Sequence, residues 1–226
     1  MSGAFDDFDD LEEKYDETLK DNVPLNAGIG AADMGQGEKM IENGFSIMLQ
    51  GLQQIYPKLD IEDENFRETP QRVMRSWVEM FRGLDEEPLE KIFSKSFPST
   101  YDGMVTANNI ICFSMCPHHF LPVKYKIDFA YMPGKSVLGI SKLTRFIEHM
   151  ACMPALQEDF TKGCIDVFND HVKPKGSMII VEGYHLCMGA RGIKKPEVAT
   201  KTSWVQGDFN TNNSLKEEFL RMCRLV

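Results

Sequence analysis

"VKYKIDFAYMPGKSVLGI", residues 123–140, decides the fold class. Ile127, Phe129 and Tyr131 alternate with polar or small residues, the period-two pattern of a strand with one buried face. Pro133-Gly134-Lys135 breaks the pattern, so the stretch predicts a hairpin whose second arm is Ser136–Ile140. Antiparallel pairing with one covered face points to an α+β fold.

Outward from that stretch, "SMIIVEGYHLCM" (177–188) and "ATKTSWVQGDF" (199–209) read as further strands. Residues 142–172 return to helical spacing, with Pro154 as the break between two helices. Residues 38–56 place Met40, Ile41, Phe45, Met48, Leu49, Leu52 and Ile55 at helical spacing. In "RETPQRVMRSWVEMFRGL" Thr69 is the expected N-cap and Pro70 the first helical residue. Val73, Trp77, Met80 and Phe81 share a face there, and Gly83 is the expected stop. Asn213 or Ser214 is expected to cap a final helix over "LKEEFLRMC".

Of the net charge of −9, residues 1–40 account for −8, with eleven acidic residues against three lysines. Such a leader cannot bury enough surface to fold alone, so residues 1–36 are expected to form a disordered acidic tail. The expected organisation is that tail, a helical region over 37–100 and an α+β domain over 101–226. No basic stripe suggests nucleic acid, and no apolar run suggests a membrane span or secretory leader. A cytoplasmic location is the default expectation. Cys112, Cys152, Cys164 and Cys223 sit among apolar neighbours and read as buried thiols.

"SMCPHHFLPV" (114–123) and "GYHLC" (183–187) hold the chemistry. Cys116 and His119 are three apart around a turn. His185 and Cys187 are two apart on an expected strand, so both are expected to face the same way. Two cysteines and one histidine make a three-donor set with a position left for water, the pattern of a catalytic zinc site. Buried thiols with surface histidines would produce the same spacing. His118 and His185 are further imidazoles suited to proton transfer. Lys142 and Arg145 share a helix face in "SKLTRF", Arg191 follows in "GARGIKK", and Arg72 and Arg75 lie after Pro70. Together they would suit a polyphosphate, although each alone reads as a solvated charge. Glu158 in "LQEDFT" could accept two hydrogen bonds from a guanine-like edge, or be an ordinary exposed helical glutamate.

From about residue 38 to the C-terminus the chain resembles GTP cyclohydrolase I. The resemblance rests on "ETPQRV", "MCPHHFLPV", "VLGISKLTRF", "LQEDFTK", "GYHLCMGARGI" and "EEFLRM". It implies zinc-dependent opening of GTP to 7,8-dihydroneopterin triphosphate and formate. It implies Cys116, His119 and Cys187 as zinc ligands and His118 and His185 as catalytic histidines. Glu158, with Gln157 beside it, would hold guanine. Ser141, Lys142, Arg145 and Arg191 would surround ribose and triphosphate, and Arg72 and Arg75 would reach a neighbouring subunit's pocket. The implied fold is the tunnelling fold (T-fold): an antiparallel sheet with helices on one face, joined into a pentameric barrel and stacked as a decamer. Pro117 departs from the glutamate of the best-known members. It leaves open a purine-opening enzyme with another product; a non-catalytic zinc-stabilised nucleotide-binding ring is a separate alternative.

Overall fold

The computed structural model describes residues 34–85 and 87–223. The expected tail lies outside the described residues apart from 34–36, which open the first helix. Helices α1 (Met34–Ile55) and α2 (Thr69–Met80) stand side by side. Gln71 of α2 donates to Glu42 of α1, and Phe45 meets Trp77 edge-on. The expected cap moves by one residue. Glu68 precedes α2, while Thr69 is helical and spends its hydroxyl on the Asn65 carbonyl. Gly83 has a different role from the one expected. It lies in a 3₁₀ turn (Arg82–Leu84), where a Cβ would run into the carbonyls of His149 and Cys152.

After α3 (Glu87–Phe93) come β1 (Ser96–Pro98), β2 (Val105–Met115), β3 (Pro122–Met132) and β4 (Ser136–Leu138). Then follow α4 (Ile140–Ala151), α5 (Gln157–Val172), β5 (Gly176–His185) and α6 (Leu186–Gly189). The chain continues through β6 (Thr200–Gly207), α7 (Asp208–Thr211) and α8 (Asn213–Cys223). The main sheet has the order β2-β3-β5-β6, antiparallel throughout. The hairpin expected at residues 123–140 does not form. Strand β3 is already paired on both edges, so the chain turns at Pro133–Lys135 and β4 pairs instead with β1. One tie remains across the turn, from the Leu138 N–H to the Tyr131 hydroxyl at 3.1 Å.

The odd-numbered residues of β3, Tyr125, Ile127, Phe129 and Tyr131, are buried with Ile179 and Val181 against α4 and α5. Phe168 is fully buried at the centre, its ring against those of Phe93, Phe129, Tyr131 and Phe146. Phe168→Ala is therefore expected to destabilise the fold by about 3–5 kcal/mol, measured by chemical denaturation. A loss below about 1 kcal/mol would contradict this packing.

Helices are not confined to one face. Ala130 and Met178 point the other way and are covered by Phe209 of α7 and Phe219 of α8. Ile180 and Val205 extend that second apolar patch, and farther along the face Glu182 is paired to Lys201 at 3.0 Å and accepts from the Tyr184 hydroxyl. The last helix is capped by Asn212, whose side chain accepts the Ser214 N–H at 3.0 Å, rather than by Asn213 or Ser214. Cys112 and Cys164 are buried as expected, and burial pushes both thiols well up. Cys152 and Cys223 are only partly covered, and Cys223 faces Asp128. No described helix is long and apolar enough to cross a membrane.

Candidate functional site

The loop between β2 and β3 is a closed turn. The Phe120 N–H donates to the Cys116 carbonyl and the Cys116 N–H to the Leu121 carbonyl, both at 2.9 Å. That closure turns Cys116 and His119 toward one point, with Sγ and Nδ1 3.6 Å apart. Cys187 arrives by another route than expected. Strand β5 ends at His185, so Cys187 lies on α6 and the alternation of a strand does not aim it. Register does: His185 is opposite Val123, which puts the end of β5 beside the start of β3 and the loop that carries Cys116 and His119.

The donor atoms of Cys116, His119 and Cys187 lie within 4.8 Å of one another. Ligands around a tetrahedral zinc ion stand roughly 3.4–3.8 Å apart, given metal–ligand bonds of about 2.0–2.3 Å. The Cys116–His119 separation falls in that range, and a set of two thiols and an imidazole suits zinc. Burial and the neighbouring Cys116 both push the Cys187 thiol up. Two adjacent thiolates need a cation to be stable together, so the residues present fit the metal.

His185 stands beside the triad on a built support. Its Nε2 lies 2.9 Å from Oε1 of Gln157, a side chain only 3% exposed. The Gln157 amide nitrogen donates to the carbonyls of Val181 and Thr200 and to the Thr202 hydroxyl, at 3.2, 2.9 and 3.1 Å. With its donors spent on three oxygens, the amide presents its own oxygen to the imidazole. His185 therefore donates from Nε2, and Nδ1 is its free nitrogen. Thr161 hydrogen-bonds Thr202 at 2.6 Å and completes the brace. Gly183 makes room for it, because a Cβ there would collide with the Gln157 oxygen. Burial lowers the pKa of His185, and the charge of Glu158 opposes that, so the ring favours its neutral form.

Cys116, His119, Cys187, His185 and Gln157 line one pocket of about 200 Å³, together with Pro117, the exposed His118 and the exposed Glu158 at the start of α5. Six other expected site residues are not brought to it. Ser141, Lys142 and Arg145 lie on the first turns of α4, and Arg72 and Arg75 lie on α2; Arg191 follows α6 and does not line the pocket, although its charge reaches the Cys187 thiol. Arg72 is paired with Glu68 at 3.0 Å, both exposed. Sequence reading missed Thr161, Thr202 and Gly183. It also placed Gln157 beside the guanine site with no hint of its hold on His185. None of these belongs to a spacing pattern, and only the fold assembles them.

The GTP cyclohydrolase I family model matches residues 50–224. GTP cyclohydrolase 1 of Chlorobium phaeovibrioides is 36% identical over 209 residues, covering 92% of this chain and 88% of that protein. GTP cyclohydrolase 1 of Streptococcus pneumoniae is 38% identical over 166 residues, covering 74% of this chain and 90% of its own. A crystal structure of the archaeosine synthase QueF-Like in the apo form overlaps 48% of this chain and 97% of its own. Its TM-score of 0.40 at 17% identity is too weak to bear on function. A match over most of the chain, on a site whose cysteines and histidines converge, leads to one conclusion: the chain belongs to the GTP cyclohydrolase I family and is an enzyme of that family.

Proposed function

We propose that this chain hydrolyses GTP to 7,8-dihydroneopterin triphosphate and formate, with zinc held by Cys116, His119 and Cys187. The observation that carries the proposal is the convergence of those three donors beside two imidazoles that are not part of the set. When bound, zinc lowers the pKa of a coordinated water to about 7 and so supplies a nucleophile at neutral pH. The protein's part is to place C8 of guanine and to move protons. His185, held through Nε2, exchanges its proton at Nδ1, and the exposed His118, lining the same pocket, serves as a second proton carrier. Glu158 accepts the paired N–H groups of guanine, and adenine is disfavoured because those partners would be lost.

Ser141, Lys142, Arg145 and Arg191 bind ribose and triphosphate, and Arg72 and Arg75 serve a neighbouring subunit's pocket. A pocket of about 200 Å³ is small beside the roughly 300–1,000 Å³ of typical ligand sites, which supports a site completed by a second copy. The assembly we infer is the family's pentameric T-fold barrel, two of which stack as a decamer, in the cytoplasm.

Pro117 favours a second reading, a purine-opening enzyme with a different product. The loop argues for the first. Position 117 cannot coordinate, and its influence passes through the loop backbone or the orientation of His118. Pro117→Glu is accordingly expected to leave the protein folded and zinc-bound, with the rate changed by less than about tenfold, or 1.4 kcal/mol of barrier. The test is incubation of both proteins with GTP and zinc, following pterin fluorescence. A fluorescent product only from Pro117→Glu, or a non-pterin product from the natural sequence, would favour the second reading.

A further inference from the structure

We infer that Trp77 of α2 and Phe81, the residue that follows it, clamp Phe120 and thereby position His119, so that the placement of α2 sets the geometry of the metal loop. This rests on the metal reading proposed above and extends it to residues that touch no ligand.

Phe120 adopts φ +51°, the left-handed region that bulky side chains rarely occupy. Such a residue persists only where its surroundings over-determine it. The residue is 42% exposed, so burial in the core is not what holds it. Instead it lies tilted against Trp77 and Phe81, with centroids 5.4 and 5.8 Å away. Trp77 is in turn met edge-on by Phe45 of α1 at 6.5 Å. The aromatic chain thus runs from α1 through α2 into the loop.

The other end of the lever is short. Phe120 follows His119 directly, and its N–H closes the turn onto the carbonyl of Cys116. The same turn holds Cys116 Sγ 3.6 Å from His119 Nδ1. The grip on the ring, the left-handed backbone and two of the three donors therefore lie within five consecutive residues. Without the ring contact, only the two hydrogen bonds of the turn hold residue 120 in the left-handed region, and His119 moves as that hold loosens. Trp77, Phe81 and Phe120 are positioning residues, and none of them touches the reacting atoms.

The test is zinc affinity, by competition with a chromophoric chelator, and the visible spectrum with cobalt in place of zinc, on full chains. Trp77→Ala and Phe120→Ala are each expected to weaken zinc by about 10- to 100-fold and to shift the cobalt–thiolate absorption. Their double variant is expected to lose little more than either alone, because both break one contact. Phe120→Gly accepts the left-handed backbone and keeps a folded chain if the alanine variant fails. Lacking the ring, it is expected to weaken zinc as well. Phe209→Leu, in the core patch under α7, serves as a control for general destabilisation and is expected to keep natural affinity. Natural affinity and an unshifted spectrum in the clamp variants would overturn the inference, as would equal loosening by Phe209→Leu. Those outcomes, with zinc bound by the natural sequence, sink the clamp alone, whereas a natural protein that binds no zinc sinks the metal reading and the clamp together.

Discussion

Cys187→Ala is expected to leave a folded chain that holds no zinc and opens GTP at least about a thousandfold more slowly, about 4 kcal/mol of barrier. Cys187 is partly exposed on the four-residue helix α6 and carries little of the core, so its loss is felt in the site rather than in stability. Removing it leaves Cys116 and His119, a two-donor set, where catalytic zinc sites use three protein ligands. Elemental analysis of zinc per chain, read beside formate release, checks the expectation. Cys152→Ala is the matched control, since Cys152 lies outside the pocket and is expected to keep both metal and activity. Full zinc occupancy in Cys187→Ala would show the ligand set to be wrong.

His185→Ala is expected to separate proton transfer from metal binding. Its Nε2 is taken by Gln157 and it is not part of the donor triad, so zinc is expected to stay. The rate is expected to fall by about 10²–10⁴, the usual contribution of a positioned acid or base, mainly in kcat with KM little changed. Burial keeps the imidazole pKa below its ordinary value, so at pH 7 the ring is neutral with Nδ1 open to a proton. A variant within about tenfold of the natural rate would remove His185 from the proton-transfer role.

The two readings differ in how the chain revealed them. Alternation in "KIDFAY" was enough to name β3 and the face it buries, because period two follows directly from strand geometry. The partner of β4 was not legible. Pro133-Gly134 marks a reversal, but which strand the returning chain joins depends on β5, some forty residues later, occupying the second edge of β3. The same holds at the site. Cys116 and His119 are close in sequence, so one turn decides their geometry. Cys187 meets them through strand register and a helical turn that no local pattern announced. The brace under His185 joins Gln157, Thr161, Gly183 and Thr202 from three elements, one of them present only as a missing side chain. Lys142, Arg145 and Arg191 stand out by charge, helix face and resemblance, and in one chain none of them lines the pocket.

The central claim is hydrolytic loss of C8 from GTP at this site. The most direct measurement uses GTP labelled with ¹³C at C8 and the zinc-loaded full chain, following labelled formate by NMR together with the pterin product. The account predicts one labelled formate for each dihydroneopterin triphosphate formed, and neither product once a chelator has removed the metal. GTP bound but returned unchanged, or opened without labelled formate, would contradict it.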